Sequence, residues 1–109
     1  MDPNSRTQSP QQRGRESEAR ILEELDLPSN NQRVSSPEGN SIPDALTDDV
    51  SVEIKDTQTV SNTRQIRIQT DAARESGRRS TLITGENTRV SRNAQESFDQ
   101  AIRRPDLGP

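Results

Sequence analysis

The chain has 109 residues, 24% of them hydrophobic and 30% charged, with a single aromatic, Phe98, and neither cysteine nor histidine. Disulfide frameworks, thiolate or imidazole metal sites and histidine-assisted nucleophiles are thereby excluded. A net charge of −3 and a mean hydropathy of −1.15 point to a chain with too little apolar surface to offset the roughly 1–2 kcal/mol of backbone entropy each residue loses on folding.

The expected fold class is intrinsically disordered, with one or two short transient amphipathic helices, about 17–27 and 93–104, and no stable globular core. Residues 1–16 are Pro, Gln, Ser and Arg without periodicity, a disordered leader in which Ser9-Pro10 suits a proline-directed kinase. The strongest local signal follows: Ser17 as a cap, Glu18 in the first turn, and Pro28 as a stop. Ile21, Leu22 and Leu25 share one face of this helix with Leu27 just beyond, opposite Glu23, Glu24 and Asp26. A helix this short does not persist in water by itself, so a groove on a folded protein partner would hold it.

Residues 28–92 read as a disordered linker, acidic then basic. Counted by segment, 1–37 carry five Arg and six acids, 38–56 one Lys and six acids, and 57–109 nine Arg and six acids. Ser36-Pro37 is a second proline-directed site, and Arg78-Arg79-Ser80-Thr81 offers Ser80 and Thr81 to a basophilic kinase. Each phosphate would add about −1.5 to −2 charge. Val50–Lys55 and Arg64–Gln69 alternate with the period of a strand and could pair around 56–63, although an isolated hairpin is marginal. Asn93 and Glu96 have capping-box spacing, and Ala94, Phe98, Ala101 and Ile102 follow at helical intervals, giving Phe98 and Ile102 as further partner-binding residues. Residues 105–109 form a tail whose end at Gly108-Pro109 suggests a fragment or a small accessory protein.

Adjacent acids such as Glu23-Glu24 and Asp48-Asp49 read as solvated, so no enzyme, metal or cofactor is expected. No apolar run approaches the roughly 18 residues of a membrane span, and Met1–Gln12 lacks the core of a signal peptide, which points to the cytoplasm and to no membrane partner. Two functions remain. In the first, the chain folds a helix on a protein partner. In the alternative, an arginine-rich tail makes weak nucleic-acid contacts through Arg64, Arg67, Arg78, Arg79, Arg103 and Arg104.

Met1-Asp2-Pro3-Asn4, one short amphipathic helix near the N-terminus and a long Ser/Thr/Gln/Arg-rich stretch together resemble the disordered N-terminal region of a phosphoprotein from a paramyxovirus or related negative-strand RNA virus. The resemblance implies a polymerase cofactor in the host cytoplasm. Its helix, carried by Ile21, Leu22 and Leu25, would hold newly made viral nucleoprotein free of RNA.

Overall fold

The computed structural model of the chain describes residues 9–108. Its first helix, α1 (Pro10–Glu24), opens on a reciprocal cap: Ser9 Oγ accepts from the Gln12 N–H at 3.1 Å and Gln12 Oε1 accepts from the Ser9 N–H at 3.0 Å. Pro10 suits the first helical turn, where its missing N–H costs nothing. The helix therefore begins well ahead of Ser17, which is buried inside it.

A hairpin of β1 (Val34–Ser36) and β2 (Gly39–Ser41) comes next, followed by β3 (Ala45–Leu46), β4 (Val50–Lys55) and β5 (Thr59–Val60). After α2 (Arg64–Ser76) come β6 (Arg79–Gly85), β7 (Arg89–Val90), α3 (Arg92–Ser97) and β8 (Gln100–Arg104). The central sheet has the order β3-β4-β6-β8, antiparallel between β3 and β4 and parallel elsewhere, while β5 and β7 form a separate parallel pair. Because β4 alternates, Val52 and Ile54 join Ile21 and Leu22 of α1, with Ile83 and Leu107, in one apolar cluster. On the other side, Leu82 packs with Ile66 of α2 and with Ala94 and Phe98.

The expectation of disorder is overturned. The radius of gyration is 14.3 Å, against about 13 Å for a compact 100-residue domain and about 30 Å for an unfolded one. What an apolar count leaves out is the polar share of the core. Thr70 Oγ1 donates to Ile66 O, Thr84 Oγ1 to Gly85 O and Thr88 Oγ1 to Thr57 O, while Ser80 and Asp99 bond each other reciprocally. A buried hydroxyl with a partner avoids the desolvation penalty and still contributes packing.

Two local expectations also change. Arg64–Gln69 lies in α2 and does not pair with β4, because Thr63 Oγ1 caps the Ile66 N–H and Gly77, at φ 75°, ends the helix in the left-handed region. Ile66, Gln69 and Ala73 then share a buried face, a pattern that six residues of alternation concealed. The segment 93–104 splits, since Ser91 caps a helix that ends before Phe98 and residues 100–104 become a strand on β6. Gly85 permits the chain end to cross this strand, for a Cβ there would sit 2.1 Å from Leu107 O. Residues 1–8, with the Met1-Asp2-Pro3-Asn4 of the viral resemblance and half of the expected leader, lie outside the described residues, as does Pro109.

Candidate functional site

The sheet is incomplete beside β4, and chemistry gathers there. β3 contributes only Ala45 and Leu46 to the ladder. The Asp44 N–H still reaches Val52 O at 2.9 Å, but the next inward amide, Ile54 N–H, donates to the Asp44 carboxylate at 2.7 Å instead of to a strand. A side chain thus replaces the missing backbone acceptor. Pro43, fully buried just before, suits an edge position because it has no N–H to give.

On the face of β4 opposite Val52 and Ile54 stand Ser51, Glu53 and Lys55. This face is covered by α2. Glu53 is 2% exposed, accepts from Gln69 Nε2 at 3.3 Å, and pairs with Lys55 Nζ at 3.7 Å. Gln69 also donates to Ser41 Oγ at 2.9 Å, which fixes its amide between the hairpin and the carboxylate. Lys55 opens onto a cleft of about 290 Å³ that Thr57, Thr59, Ser61, Thr63 and Arg64 help to line.

Glu18 reaches the same place from α1. The helix is tied to the end of β4 by Ser17 Oγ, which donates to Asp56 Oδ2 at 2.6 Å, and by Arg13 Nε at 3.5 Å from the same oxygen. Burial, then the charge of Asp44 and a hydrogen bond to it, pushes Glu18 from the ordinary 4.5 up to about 7. Glu53 is driven well above the ordinary glutamate range, first by burial and then by Asp44, with Lys55 and the Gln69 amide opposing. Asp44 therefore lies between two glutamates whose affinity for protons is raised first by burial and then by its own converging negative charge. A cation would relieve that convergence.

Among the described residues no group of three or more histidine, cysteine, aspartate or glutamate side chains is spaced to hold a metal ion by itself. Magnesium, however, is commonly held by one or two carboxylates with water and a substrate phosphate, and the hard oxygens of Asp44 and Glu53 fit that requirement.

The residues expected to bind a partner lie elsewhere. Ile21 and Leu22 are buried against the sheet, Leu27 is half-buried beside them, and Leu25 is 41% exposed. Phe98 is buried in the α2-side cluster and Ile102 lies against the α1-side one, so the two share no helix face. Ser9 caps α1, Ser36 ends β1, and Ser80 and Thr81 are buried in β6.

The arginines of the supposed loose tail are mostly built into the fold. Arg64 donates to Glu38 O and Arg67 grips the Glu38 carboxylate with two nitrogens. Arg78 donates to Thr47 O, Arg103 to Thr84 Oγ1, Gly85 O and Thr88 O, and Arg104 pairs with Glu24 and Asp106. Arg79 is exposed. Neither a disordered partner-binding region nor an arginine tail describes this molecule.

Asp44, Glu53, Lys55 and Gln69 carry no functional role in the sequence pattern, where Glu18 is only a first-turn helix acid. The available signal was Glu53 and Lys55 two apart on a strand, with Pro43-Asp44 a short turn earlier. No helix is long and apolar enough to cross a membrane among the described residues.

A family model described as restriction endonuclease fold toxin 7 matches residues 14–94, a span containing every residue of this cluster. No curated protein and no solved structure matches the chain with significance. The match replaces the viral phosphoprotein resemblance and the expectation of a chain without enzymatic activity, since an endonuclease-fold toxin family implies a nuclease.

Proposed function

We propose that this chain, which belongs to the restriction endonuclease fold toxin family, is a nuclease toxin that hydrolyses phosphodiester bonds of DNA at the Asp44, Glu53 and Lys55 cluster. The observation that carries the reading is the buried Glu53 carboxylate, kept 3.7 Å from the Lys55 ammonium and raised in pKa first by its burial and then by Asp44. Asp44 and Glu53 would hold a divalent cation of the magnesium type. That ion, when bound, supplies positive charge to a phosphoryl oxygen and to a water.

The protein's own groups do the rest. Gln69 fixes the Glu53 carboxylate through one N–H, and the Ile54 amide fixes Asp44, so neither acid must be ordered when substrate arrives. Lys55, at the mouth of the cleft, places an ammonium where a phosphodiester gains negative charge. In hydrolysis the water oxygen bonds to phosphorus as the bond to one sugar oxygen breaks, giving a phosphomonoester and an alcohol.

The test is cleavage of plasmid DNA in magnesium by the parent chain and by the Glu53→Gln and Lys55→Ala variants. Removing a preorganised charge from the site should reduce the rate about 10²–10³-fold in each. Induced expression of the parent, but not of Glu53→Gln, should arrest bacterial growth. A parent that cleaves no nucleic acid, or variants that cleave as fast as the parent, would refute the assignment.

A further inference from the structure

Two clefts meet at β5. The first, described above, holds Lys55. The second, of about 340 Å³, is lined by Thr57, Gln58, Thr59, Asn87, Thr88 and Arg89. Both include Thr57 and Thr59, so they adjoin along the β5–β7 pair, in which Thr59 opposes Arg89. Thr57 and Thr88 use their hydroxyl protons on Thr59 O and Thr57 O, which stiffens the shared wall. Gln58, Thr59, Asn87 and Arg89 keep donors on that wall, and the Arg89 guanidinium makes no ion pair among the described residues. Arg89 is exposed, and it stands at the end of the sheet where Lys55 lies.

We propose that the wall formed by Gln58, Thr59, Asn87 and Arg89 is a second subsite for the substrate, taking a backbone phosphate of double-stranded DNA beyond the bond at Lys55. The inference rests on the nuclease reading and adds to it the form of substrate and the mode of recognition. Guanidinium, amide and hydroxyl donors match phosphate and sugar oxygens, which carry no sequence information. Proteins that prefer single strands stack bases on aromatic rings, and the one aromatic of this chain is 7% exposed in the core. Binding should therefore be to duplex and indifferent to sequence.

Binding is measured with the full chain in EDTA, which stops cleavage, by fluorescence anisotropy on two labelled duplexes of unrelated sequence and on one single strand, across a salt series. Arg89→Ala should weaken both duplexes equally and lower the slope of log affinity against log salt by about one, the signature of one lost phosphate contact. Arg89→Lys should restore the slope. Arg79→Ala, an exposed arginine paired with Val50 at the opposite end of the sheet, should leave it unchanged.

Arg89 is exposed, so the variants keep the parent's circular dichroism and melting curve. A slope unaltered by Arg89→Ala, weakening confined to one sequence, or tighter binding of the single strand would overturn the subsite. If the parent also cleaves DNA, the nuclease reading survives that outcome. Conversely, a changed slope in a parent that never cleaves would keep the subsite and sink the nuclease.

Discussion

Replacing Glu18 by Gln tests the electrostatics of the cluster without touching the lysine. The folded-state pKa of Glu18 is raised from 4.5 to about 7, so the folded chain binds this proton more tightly than the unfolded one. The associated stability is fully present below about 4.5 and is lost as pH rises through about 7. At about 1.36 kcal/mol per pH unit the full difference would be ~3.4 kcal/mol. Glu18 is only partly buried, and solvent screening reduces this to about 1 kcal/mol. Gln has nearly the same shape and can donate to Asp44 without ever acquiring the charge. In EDTA at pH 8, Glu18→Gln should therefore melt about 4–8 °C above the parent, with the gap closing toward pH 4. Thermal denaturation followed by circular dichroism across that range measures it. A variant less stable than the parent at pH 8, or a gap that ignores pH, would refute the argument that burial and the Asp44 charge disfavour an ionised Glu18.

The other expectations are also read from stability. Magnesium at ten times its dissociation constant should add about 1.4 kcal/mol to the parent's stability at pH 8 and almost nothing to Glu53→Gln. Equal stabilisation of both would place the ion away from Glu53. Leu22→Ala should destabilise the fold by about 2–5 kcal/mol, because Leu22 is 4% exposed against the sheet. A loss below about 0.5 kcal/mol in urea unfolding would mean that α1 does not pack there.

Parts of this molecule could be read in advance. Val50–Lys55 is a strand with the expected alternation, and a helix does contain Ile21 and Leu22. What the linear pattern lacks is knowledge of which element covers which face. Glu53 and Lys55 look like the wet side of an edge hairpin until α2 crosses over them, and α2 itself was hidden because Ile66 and Ile68 alternate before Ala73 completes the helical face. The same blindness made the composition misleading. Ser80, Thr84 and Thr88 count as polar in a tally, yet each is buried with a distant hydrogen-bond partner, Asp99, Arg103 and Thr57 in turn, that folding brings to it.

Asp44 shows why structure and chemistry are inseparable at this edge, and two substitutions can separate them. Its carboxylate does two jobs, accepting from the Ile54 amide where β3 has run out and supplying negative charge beside Glu18 and Glu53. Asp44→Asn keeps an oxygen for the Ile54 N–H and removes the charge, so the glutamates beside it are relieved. This variant should fold at least as stably as the parent at pH 8 and fail to cleave DNA. Asp44→Ala removes both, leaving the part-buried Ile54 N–H without an acceptor at a cost of about 1–3 kcal/mol, partly offset by the same relief. The Asn variant should therefore melt above the Ala variant at every pH. The difference should hold even at pH 4, where Glu18 has regained its proton and the electrostatic gain has vanished. Equal melting temperatures for the two at pH 4 would mean that the Ile54 amide finds water once Asp44 is gone. The carboxylate would then be at this edge for its charge alone.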